Sequence, residues 1–569
     1  MTFRTNGSNG ADRNSTDVLI IGSGMSGAAF AKRLTDAGMK CTLLEQGDWI
    51  RPVEYDHFHD EFDIERNRGW AYDPNVRQGP EDFPVTGFTT PYMINAVGGS
   101  TIHYAAHWPR YKPIDFRKGT EHGVAGNIDW PISYEDLAPY YDINDAEVGI
   151  SGVHGDPAYP PRPNAPRQKP INPGKLGLKF AKGLDQLGWH WWPSDNGIIT
   201  EGRDGRLPCN ECGNCLQGCP RGALAGMDVS LIPKALANGL DLRTNARVTR
   251  IVAKGGKATG AEYIDRVTGE THFVSANIVI LAANGIGTPR LLLMSAQEGH
   301  PDGLCNANGL VGTHLMHHSF AFVDCWFDDP VEGYLGAFGA PLYSHEFYHS
   351  DSSRGFVNGV AMQVGRSFGS AYAANGTHTG AVMPWGANHR EHFNEHFGHH
   401  LLVFMFGEDL PIKENRVTLD PEVKDSSGLP APHVEFNVSE NDRRLCEFGV
   451  ERITDVANAL GASETNHTGV LSPPPGWHLM GTARMGNNPE DSTTNMYSQT
   501  WELPNLFIAD GAALTTGGIV NPTSTIGALS TRAAEYIKQN YQNIVEQSKT
   551  PANADAPGLS NRELELSAA

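Results

Sequence analysis

The sequence predicts an α/β fold in which a Rossmann-like parallel sheet is combined with an antiparallel sheet. Residues 17–21 form a short apolar strand, a glycine turn and a helix follow, and "CTLLEQG" at 41–47 is a second strand. A strand, a helix and a second strand in this order begin a βαβ unit. Residues 320–440 instead alternate apolar and polar side chains over short stretches, which is typical of antiparallel sheet.

The turn after the first strand carries the pattern G-x-G-x-x-G, formed by Gly22, Gly24 and Gly27. The first glycine allows a tight turn, the second lets the backbone approach a pyrophosphate, and the third lets the helix pack on the strand. Glu45 ends the second strand, where a carboxylate can accept hydrogen bonds from ribose hydroxyls. The turn therefore predicts a dinucleotide-binding site, with the phosphates at the helix N-terminus.

The later elements follow from their patterning. Residues 50–230 are rich in Pro, Gly, Trp and Tyr, and predict loops and insertions with few long helices. "GTPRLLLMSA" predicts a helix entered through Pro289. Strands are predicted for "ARVTRIVA", "ATGAEYID" and "THFVSANIVILAANG", and an amphipathic helix for "ENDRRLCEFGVERITDVANALG". The fold is expected to end with "NLFIADGAAL" and a helix through "STIGALSTRAAEYIKQ". The polar tails, 1–14 and 548–569, are expected to be disordered.

Four of the eight cysteines, Cys209, Cys212, Cys215 and Cys219, have the spacing C-x2-C-x2-C-x3-C and are followed by a proline. This is the spacing of bacterial ferredoxins, in which the first three thiolates reach one iron–sulfur cluster and the fourth reaches another. Zinc sites usually separate two pairs of ligands by a dozen residues or more. The loop predicts an iron–sulfur cluster, with zinc, a disulfide pair or bare thiols as alternatives. The other cysteines are scattered, which indicates folding in a reducing compartment.

The net charge of the chain indicates which classes of partner it can bind. The 569 residues include 44 Lys and Arg against 65 Asp and Glu, a formal net charge of −21. This charge opposes non-specific binding to nucleic acid, so we expect no such partner. No run of about 18 apolar residues exists, so we expect no membrane span. The N-terminal segment has neither an apolar core nor a twin arginine, so we expect no export signal in this chain.

Three further segments resemble the glucose–methanol–choline (GMC) oxidoreductase family: "NAVGGSTIHYAAHWPR", "WHLMGTARMG" and "LPNLFIADGAALTTGGIVNPTSTIGALSTRAAEYI". The resemblance covers about residues 15–545, with gaps in the middle. It implies FAD rather than NAD, bound by a discontinuous domain beside an antiparallel substrate sheet. The implied boundaries are 15–110, 231–318 and 470–545 for the FAD-binding domain, 111–230 for an insertion that carries the cysteine cluster, and 319–469 for the substrate-binding domain.

The resemblance also implies the contacts of the cofactor. Gly22, Gly24, Gly27 and Glu45 would hold the ADP half, and Val248 would meet the adenine through its backbone. Along the flavin would lie Gly98, Gly99 and Ser100. The pyrophosphate and ribityl chain would be approached by Asp510 and Gly511. The edge of the isoalloxazine would be contacted by Asn521, Pro522 and Thr523.

His103 lies four residues after Gly99, and in some sugar-oxidising members of the family a histidine at this spacing is bonded covalently to the flavin. Those members have threonine before the histidine and tryptophan after it, whereas Ile102 and Tyr104 stand here. Two alternatives remain, a covalent link or a position beside the flavin without a bond. Tight FAD without a covalent bond is the default expectation.

By resemblance, His478 in "WHLMGTARMG" is the active-site base. Oxidation of an alcohol removes the hydroxyl proton and passes a hydride to flavin N5, and an imidazole accepts such a proton near neutral pH. Asn521 stands where many members carry a second histidine, and its amide can orient the hydroxyl without taking its proton. Glu408 and Asp409, on the predicted substrate sheet, either bind a hydroxylated substrate or hold the sheet together.

A subset of the family carries a cluster on C-x5-C-x3-C, which Cys209, Cys215 and Cys219 match. A [3Fe–4S] cluster is therefore favoured, and a [4Fe–4S] cluster would use Cys212 as well. A cluster passes electrons singly to cytochrome c or a quinone, which favours a dehydrogenase over an oxidase.

The resemblance is greatest to the sugar dehydrogenase branch, and above all to glucoside 3-dehydrogenase catalytic subunits. It implies oxidation of a sugar hydroxyl to a ketone, at C3 of a glucoside in the first place. Glucose C1, gluconate C2 and an oxygen-using pyranose or glycoside oxidase are the alternatives. It also implies a small partner subunit whose twin-arginine signal carries the folded chain to the periplasm; the alternative is a cytoplasmic enzyme.

Overall fold

The computed structural model describes residues 14–50, 84–87, 93–124, 126–162, 167–213, 215–367, 369–370, 379, 385–472 and 476–547. The two predicted tails lie outside these residues, apart from Asn14. Among the helices that the structure describes, none combines the length and the apolar character needed to cross a bilayer.

The strands are, in chain order, β1 Ser15–Ile21, β2 Cys41–Leu44, β3 Thr86–Gly87, β4 Trp192–Pro193, β5 Asp241–Arg243, β6 Ala246–Ala253, β7 Ala258–Asp265, β8 Thr271–Leu281, β9 Ser319–Trp326, β10 Leu342–Ser344, β11 Val360–Gly365, β12 His400–Gly407, β13 Arg416–Lys424, β14 Pro430–Glu435, β15 Glu464–His467 and β16 Leu506–Ile508. The α-helices are α1 Met25–Asp36, α2 Lys118–Glu121, α3 Tyr134–Val148, α4 Gly174–Leu187, α5 Leu231–Ala237, α6 Asn284–Met294, α7 His389–His396, α8 Glu440–Ala459 and α9 Thr523–Gln547.

The first sheet has seven strands, in the order β5-β2-β1-β8-β7-β6, with β16 paired to β8. The pairs β5/β2, β2/β1, β1/β8 and β8/β16 are parallel, and β8/β7 and β7/β6 are antiparallel. Val18 lies opposite both Cys41 and Ile278, so the apolar strand β1 is the buried centre of the sheet. Because parallel strands end at one edge, the glycine turn after β1 and Glu45 after β2 meet there.

The second sheet has six antiparallel strands, in the order β15-β9-β12-β11-β10-β4. Successive side chains of β12 point to opposite faces. Leu401, Val403 and Met405 pack with α8, whose N-terminus is capped by Ser439. The other face is aromatic, and the loop with the four clustered cysteines packs against it. A third sheet, in the order β13-β14-β3, completes the fold. The predicted α/β fold with a parallel and an antiparallel sheet is confirmed.

Two local predictions differ from the structure. Helix α6 begins at Asn284, five residues before Pro289, which lies inside the helix. Proline leaves the carbonyl four residues before it without its helical donor, and the Thr482 hydroxyl donates to that Gly285 oxygen at 2.8 Å instead. In addition, α3 and α4 are long helices within the segment that was expected to be mostly loop. Pro139, in the first turns of α3, weakens the sequence signal for that helix.

Candidate active site

In the glycine turn after β1, Gly22 and Gly27 are closely packed against backbone atoms, whereas Gly24 borders open space. Gly22 has φ +98°, and a Cβ there would lie 2.4 Å from the Ala282 carbonyl oxygen. A Cβ on Gly27 would lie 1.9 Å from the Gly22 oxygen. Gly24, the N-cap of α1, would meet nothing within 4 Å, and no side chain of the described residues caps the helix. The turn therefore leaves free space at the N-terminus of α1, as a pyrophosphate requires.

Glu45 and the second glycine loop meet at this turn. The Glu45 carboxylate accepts hydrogen bonds from Ser23 N and Oγ and from Gly47 N. Gly98 N donates to Ser23 Oγ at 3.1 Å, and a Cβ on Gly99 would lie 3.0 Å from Gly24 Cα. Burial raises the pKa of Glu45 in spite of these donors. Two segments that are distant in the sequence thus line one cradle.

Asp510 holds the start of α6 beside the same edge. Its carboxylate accepts from Asn284 N and from the Thr288 hydroxyl, and also from Ala512 N. Burial raises the pKa of Asp510 to about 6. A Cβ on Gly511 would lie 2.3 Å from the Leu479 carbonyl oxygen, so this position needs glycine. Asp510 and Gly511 therefore tie the last segment of the chain to the nucleotide edge.

The other predicted cofactor residues are less closely connected. Val248 lies in β6, which begins beside Glu45 because Ala246 N donates to the Glu45 oxygen. Ser100 is exposed and its Oγ accepts from Ile94 N. His103 is half-buried and its Nδ1 donates to the Leu216 carbonyl oxygen at 2.9 Å. Pro522 precedes α9, and Thr523 is the first residue of that helix.

Two buried polar atoms near the cradle have no partner among the described residues, Asn95 Nδ2 and Asp228 Oδ1. Asp228 borders Gly98, whose Cβ would lie 3.0 Å from Asp228 N. Burial raises the pKa of Asp228 to about 7. Open space at a helix N-terminus, close glycine contacts and unpaired polar groups fit a dinucleotide such as FAD. The predictions had not included Asp228 or Asn95.

The tautomer of His478 follows from its neighbour His318. His318 Nε2 lies 2.9 Å from the Gly518 carbonyl oxygen and must donate to it. Since burial lowers the pKa of His318 to about 4, the ring is neutral and its Nδ1 is an acceptor. His478 Nδ1 lies 2.7 Å from that atom and therefore donates. The lone pair of His478 is left on Nε2, where it can accept a proton.

Desolvation by the surrounding side chains lowers the pKa of His478 well below its ordinary value, and His318, His317 and His107 lower it further. His317 Nδ1 donates to the His478 carbonyl oxygen at 3.0 Å, which holds the backbone. His478 is therefore neutral across the neutral pH range and available as a base.

Asn521 faces His478 Nε2, the ring nitrogen that carries the lone pair. Its Nδ2 lies 3.3 Å from His478 Nε2, and its Oδ1 accepts from Gln363 Nε2 at 3.2 Å. Burial lowers the pKa of His107 to about 4, and its interactions with Gln363 and Asn521 act in the opposite direction. His478 and Asn521 are half-buried, whereas His318, Gln363 and His107 are buried. The structure thus brings the predicted pair together and opens the site on their side.

The Gly518 peptide connects this site to a buried ion pair. Gly518 N donates to Glu408 Oε1 at 2.9 Å, and Glu408 Oε2 lies 3.1 Å from Lys118 Nζ. Burial opposes the Lys118 ammonium ion, but the Glu408 and Asp115 carboxylates outweigh it and raise the pKa of Lys118. Asp409 accepts from His317 N and from the Ser319 hydroxyl. Glu408 and Asp409 therefore hold the strands and the loop around His478.

Aromatic rings form a wall beside His478. The Phe406 ring is stacked at 6.1 Å from the imidazole, and Phe320 contacts Phe406 edge to face at 4.6 Å. Trp477 packs edge-on against Phe320 and Phe322 at 5.2 and 6.4 Å. Trp477 remains 41% exposed, so the wall reaches the surface. Aromatic carbon therefore covers one side of the imidazole.

The four clustered cysteines line one small pocket, together with Ile198 and Leu224. None of the eight cysteines, all of which lie within the described residues, forms a disulfide. Burial raises the pKa of Cys215 to about 12, and the neighbouring cysteines add to the shift. Glu211 N donates to Cys209 Sγ at 3.3 Å. Leu216, the acceptor for His103, belongs to the same loop, so the pocket adjoins the Gly98–Gly99 segment.

Sequence reasoning missed His318, His107 and Gln363. The paired histidines "HH" at 317–318, directly before an apolar strand, are a signal that could have indicated His318. Gln363 and His107 come from unrelated parts of the chain and carry no local signal.

Comparisons with known proteins identify the family. Residues 167–320 and 411–530 match the models of GMC oxidoreductases, and residues 20–51 match that of an NAD(P)-binding Rossmann-like domain. A solved structure of formate oxidase from Aspergillus oryzae RIB40, determined in a study of FAD modification, has a TM-score of 0.65 and 16% identity, and the match covers 94% of this chain and all of that one. The latter likeness shows the shared fold.

Relatives match over nearly the whole length. The chain is 64% identical to 2-methyl-1,2-propanediol dehydrogenase of Mycolicibacterium austroafricanum, over 96% of this chain and 99% of that protein. It is 29% identical to the fructose dehydrogenase large subunit of Gluconobacter japonicus, over 92% and 98%. It is 27% identical to the gluconate 2-dehydrogenase flavoprotein of Pantoea cypripedii, over 92% and 94%. This chain therefore belongs to the GMC oxidoreductase family and is an FAD-dependent oxidoreductase that acts on CH–OH groups.

Proposed function

We propose that the protein is a dehydrogenase that oxidises the primary alcohol of a small branched vicinal diol to an aldehyde. The observation that carries the proposal is the combination of a neutral His478, whose Nε2 faces Asn521, with an aromatic wall. The similarity to a 2-methyl-1,2-propanediol dehydrogenase supports it. In that diol the second carbon bears no hydrogen, so only the terminal carbinol can become a carbonyl.

Each residue of the site has one role in the proposed reaction. Asn521 orients the substrate hydroxyl, and His478 Nε2 accepts its proton as the carbon–hydrogen bond breaks. The hydride leaves the same carbon, and bound FAD supplies the acceptor for it at flavin N5. Two electrons and two hydrogens thus leave the alcohol, which becomes an aldehyde. Gly22, Gly24, Gly27, Glu45, Asp510 and Gly511 would hold the dinucleotide.

The aromatic wall favours a diol over a sugar. Phe406 stacks beside His478, Trp477 is partly exposed, and the buried Phe320 packs against both, so this side of the site is bordered by carbon. Such a border suits the methyl groups of a branched diol. A sugar would bring several hydroxyls to this surface, and each buried hydroxyl without a partner costs about 1–3 kcal/mol. Oxidation of a glucoside at C3, or of fructose or gluconate, remains the second candidate, supported by the similarity to two sugar dehydrogenases.

The substrate is tested by bleaching of the flavin under anaerobic conditions. We expect the second-order rate constant of flavin reduction for 2-methyl-1,2-propanediol to exceed that for methyl glucoside, fructose and gluconate by at least roughly a hundredfold, the size of discrimination a shaped apolar pocket reaches. Faster bleaching by a sugar would overturn the diol proposal and favour the second candidate. A peroxidase-coupled assay in air tests the oxidase alternative. An oxidase would form hydrogen peroxide in proportion to the alcohol consumed.

His318 is expected to act as a positioning residue. His318→Leu removes the acceptor of the His478 Nδ1 hydrogen and leaves a donor unpaired, which should slow flavin reduction by roughly tenfold to a hundredfold. His318→Gln offers both an acceptor and a donor and should restore most of the rate. Stopped-flow measurements separate the roles, because a positioning residue lowers the limiting rate more than it changes KM. Equal rates in the leucine and glutamine variants would contradict this role.

We also propose that Cys209, Cys215 and Cys219 hold a [3Fe–4S] cluster, which would supply one-electron transfer to a cytochrome c or a quinone. Thiolates are the ligands that iron–sulfur clusters require. The support is the pocket that the four cysteines share and the donor to Cys209. The alternative is a [4Fe–4S] cluster that also uses Cys212, which is exposed.

Iron analysis of protein purified without oxygen tests the cluster. Cys215→Ser should remove most of the iron, whereas Cys41→Ser, in β2, should retain it. Cys212→Ser distinguishes the two clusters, because it spares a three-iron cluster and disrupts a four-iron one. Wild-type protein without iron and acid-labile sulfide would refute the proposal, whatever the variants do.

We propose, finally, that a small subunit with a twin-arginine signal accompanies the folded chain to the periplasm, since FAD and a cluster are inserted before export. Fractionation of the native cell tests this. Activity confined to the cytosol, with no small protein that co-purifies, would refute it and leave the catalytic proposal untouched.

A further inference from the structure

The last turn of the exposed helix α7 brings His392, Glu395 and His396 together. Positions i, i+3 and i+4 of a helix lie on one face. One ring nitrogen of each histidine and one Glu395 oxygen all lie within 4.8 Å of one another, and His392 Nδ1 is 3.9 Å from Glu395 Oε2. Two imidazoles and a carboxylate are a donor set that Zn²⁺ prefers. We propose that these three residues form a zinc site outside the active site.

The His396 ring is prepared for this role. Its Nδ1 donates to the His392 carbonyl oxygen at 2.8 Å, so the lone pair of the neutral ring lies on Nε2. An outer hydrogen bond from the second ring nitrogen to a carbonyl is how metal-binding histidines are usually oriented. The ring also packs edge-on against Trp326 of β9, with the centroids 5.2 Å apart. Both contacts limit its rotation before any ion binds.

The distances require only a small adjustment. Zinc bonds of about 2.0–2.2 Å in a tetrahedral arrangement hold the donors roughly 3.4 Å apart. The present separations come within this range through side-chain rotation, and both His392 and Glu395 are exposed enough to rotate. A three-ligand site leaves the fourth position to water.

Electrostatics favour a cation at this place. The C-terminal end of a helix carries partial negative charge from its unpaired carbonyls, and these residues occupy the last turn of α7. The chain as a whole carries a net charge of −21. Arg390 is the nearest cation on the helix, but residues two apart on a helix do not face each other, so it does not oppose the ion directly.

A bound ion would join side chains of successive turns of α7, because all three ligands lie on this one helix. The helix ends at His396, and β12 begins at His400. The same strand carries Phe406 to the wall beside His478. The site would therefore stiffen the helix that precedes β12 and that contacts β9 through His396 and Trp326, and its role is structural.

Calorimetric titration of the FAD-loaded enzyme with Zn²⁺ tests the site. His396→Ala and His392→Ala should each weaken one zinc site by at least about tenfold, by analogy with the loss of metal-site contacts. His272→Ala changes an exposed histidine that lies 3.8 Å from Glu270 and should leave that site intact. Unchanged zinc stoichiometry and affinity in the double variant His392→Ala/His396→Ala would overturn the proposal.

The four clustered cysteines could also bind the added zinc, so the experiment includes a variant that disrupts their loop. Cys212→Ser/Cys219→Ser should leave the histidine site in place, and its loss in that variant would overturn the proposal. Zinc K-edge absorption of the wild-type enzyme with one equivalent of Zn²⁺ gives a result without any substitution. Nitrogen and oxygen ligands, with imidazole scattering, are expected, whereas a sulfur-only shell would refute the site.

Discussion

Replacing His478 with alanine is expected to slow reduction of the flavin by the alcohol by about 10²–10⁴-fold, the usual contribution of a general base. The variant should still bind FAD, because the nucleotide cradle around Gly22, Glu45 and Gly98 does not include His478. The loss has a physical cause in the structure: His478 Nε2 holds the lone pair that takes the hydroxyl proton, and Asn521 beside it cannot accept one. Stopped-flow bleaching of the flavin at saturating alcohol measures the effect.

The matched control is His467→Ala. His467 is an exposed histidine at the edge of the same six-stranded sheet, in β15. Its replacement should leave both the flavin spectrum and the reduction rate unchanged. If the His478 variant reduces its flavin within a few-fold of the wild-type rate, His478 is not the base, and the proton must go elsewhere.

Replacing Lys118 with methionine is expected to lower the free energy of unfolding by about 3–5 kcal/mol, because it leaves the buried Glu408 carboxylate without its counter-ion. Lys118 and Glu408 are 0% and 1% exposed, so water cannot take the place of the lost partner. Denaturation in urea, followed by the fluorescence of released FAD, measures the change. The rate of flavin reduction should fall as well, since Glu408 accepts from Gly518, which holds His318.

Two comparisons make this prediction specific. Arg416→Met breaks the exposed pair with Glu435, whose side chains are 47% and 42% exposed, and should cost no more than about 1 kcal/mol. The double variant Lys118→Met/Glu408→Gln removes both charges and should recover part of the loss. A Lys118 variant as stable as the Arg416 variant would contradict a functional buried pair.

The fold was predictable where its signals are local. The turn between β1 and α1 follows from three glycines within six residues, and the helix at Glu440–Ala459 from its apolar period and the capping serine before it. Helix α6 shows the limit. A proline normally marks the first turn of a helix, but a threonine almost two hundred residues away supplies the missing hydrogen bond and lets the helix begin earlier.

The candidate site was predictable only in part, for a related reason. His478 and Asn521 belong to motifs that resemble those of a family, so the pair could be named from the sequence. The residues that fix the tautomer of His478 and the orientation of Asn521 could not be named in this way. His318 and Gln363 act through contacts that span about 160 residues. The paired histidines before β9 mark His318 only weakly, and Gln363 carries no local pattern that distinguishes it from other polar residues of a strand. The substrate preference that we propose rests on the aromatic wall, which exists only after β9 and β12 have paired.

The Gly518 peptide has a consequence for the order of assembly. It is contacted by His318 and by Glu408, which is paired with Lys118, and the nearby Tyr111 hydroxyl donates to the Gly517 carbonyl oxygen. These residues are separated by up to about four hundred positions, and contacts of such long range form late in folding. A chain still being synthesised can complete the nucleotide turn early, yet it has no correctly protonated base until residue 518 has emerged. Catalytic competence is therefore acquired in one late step, and a partly made or truncated chain cannot consume alcohol.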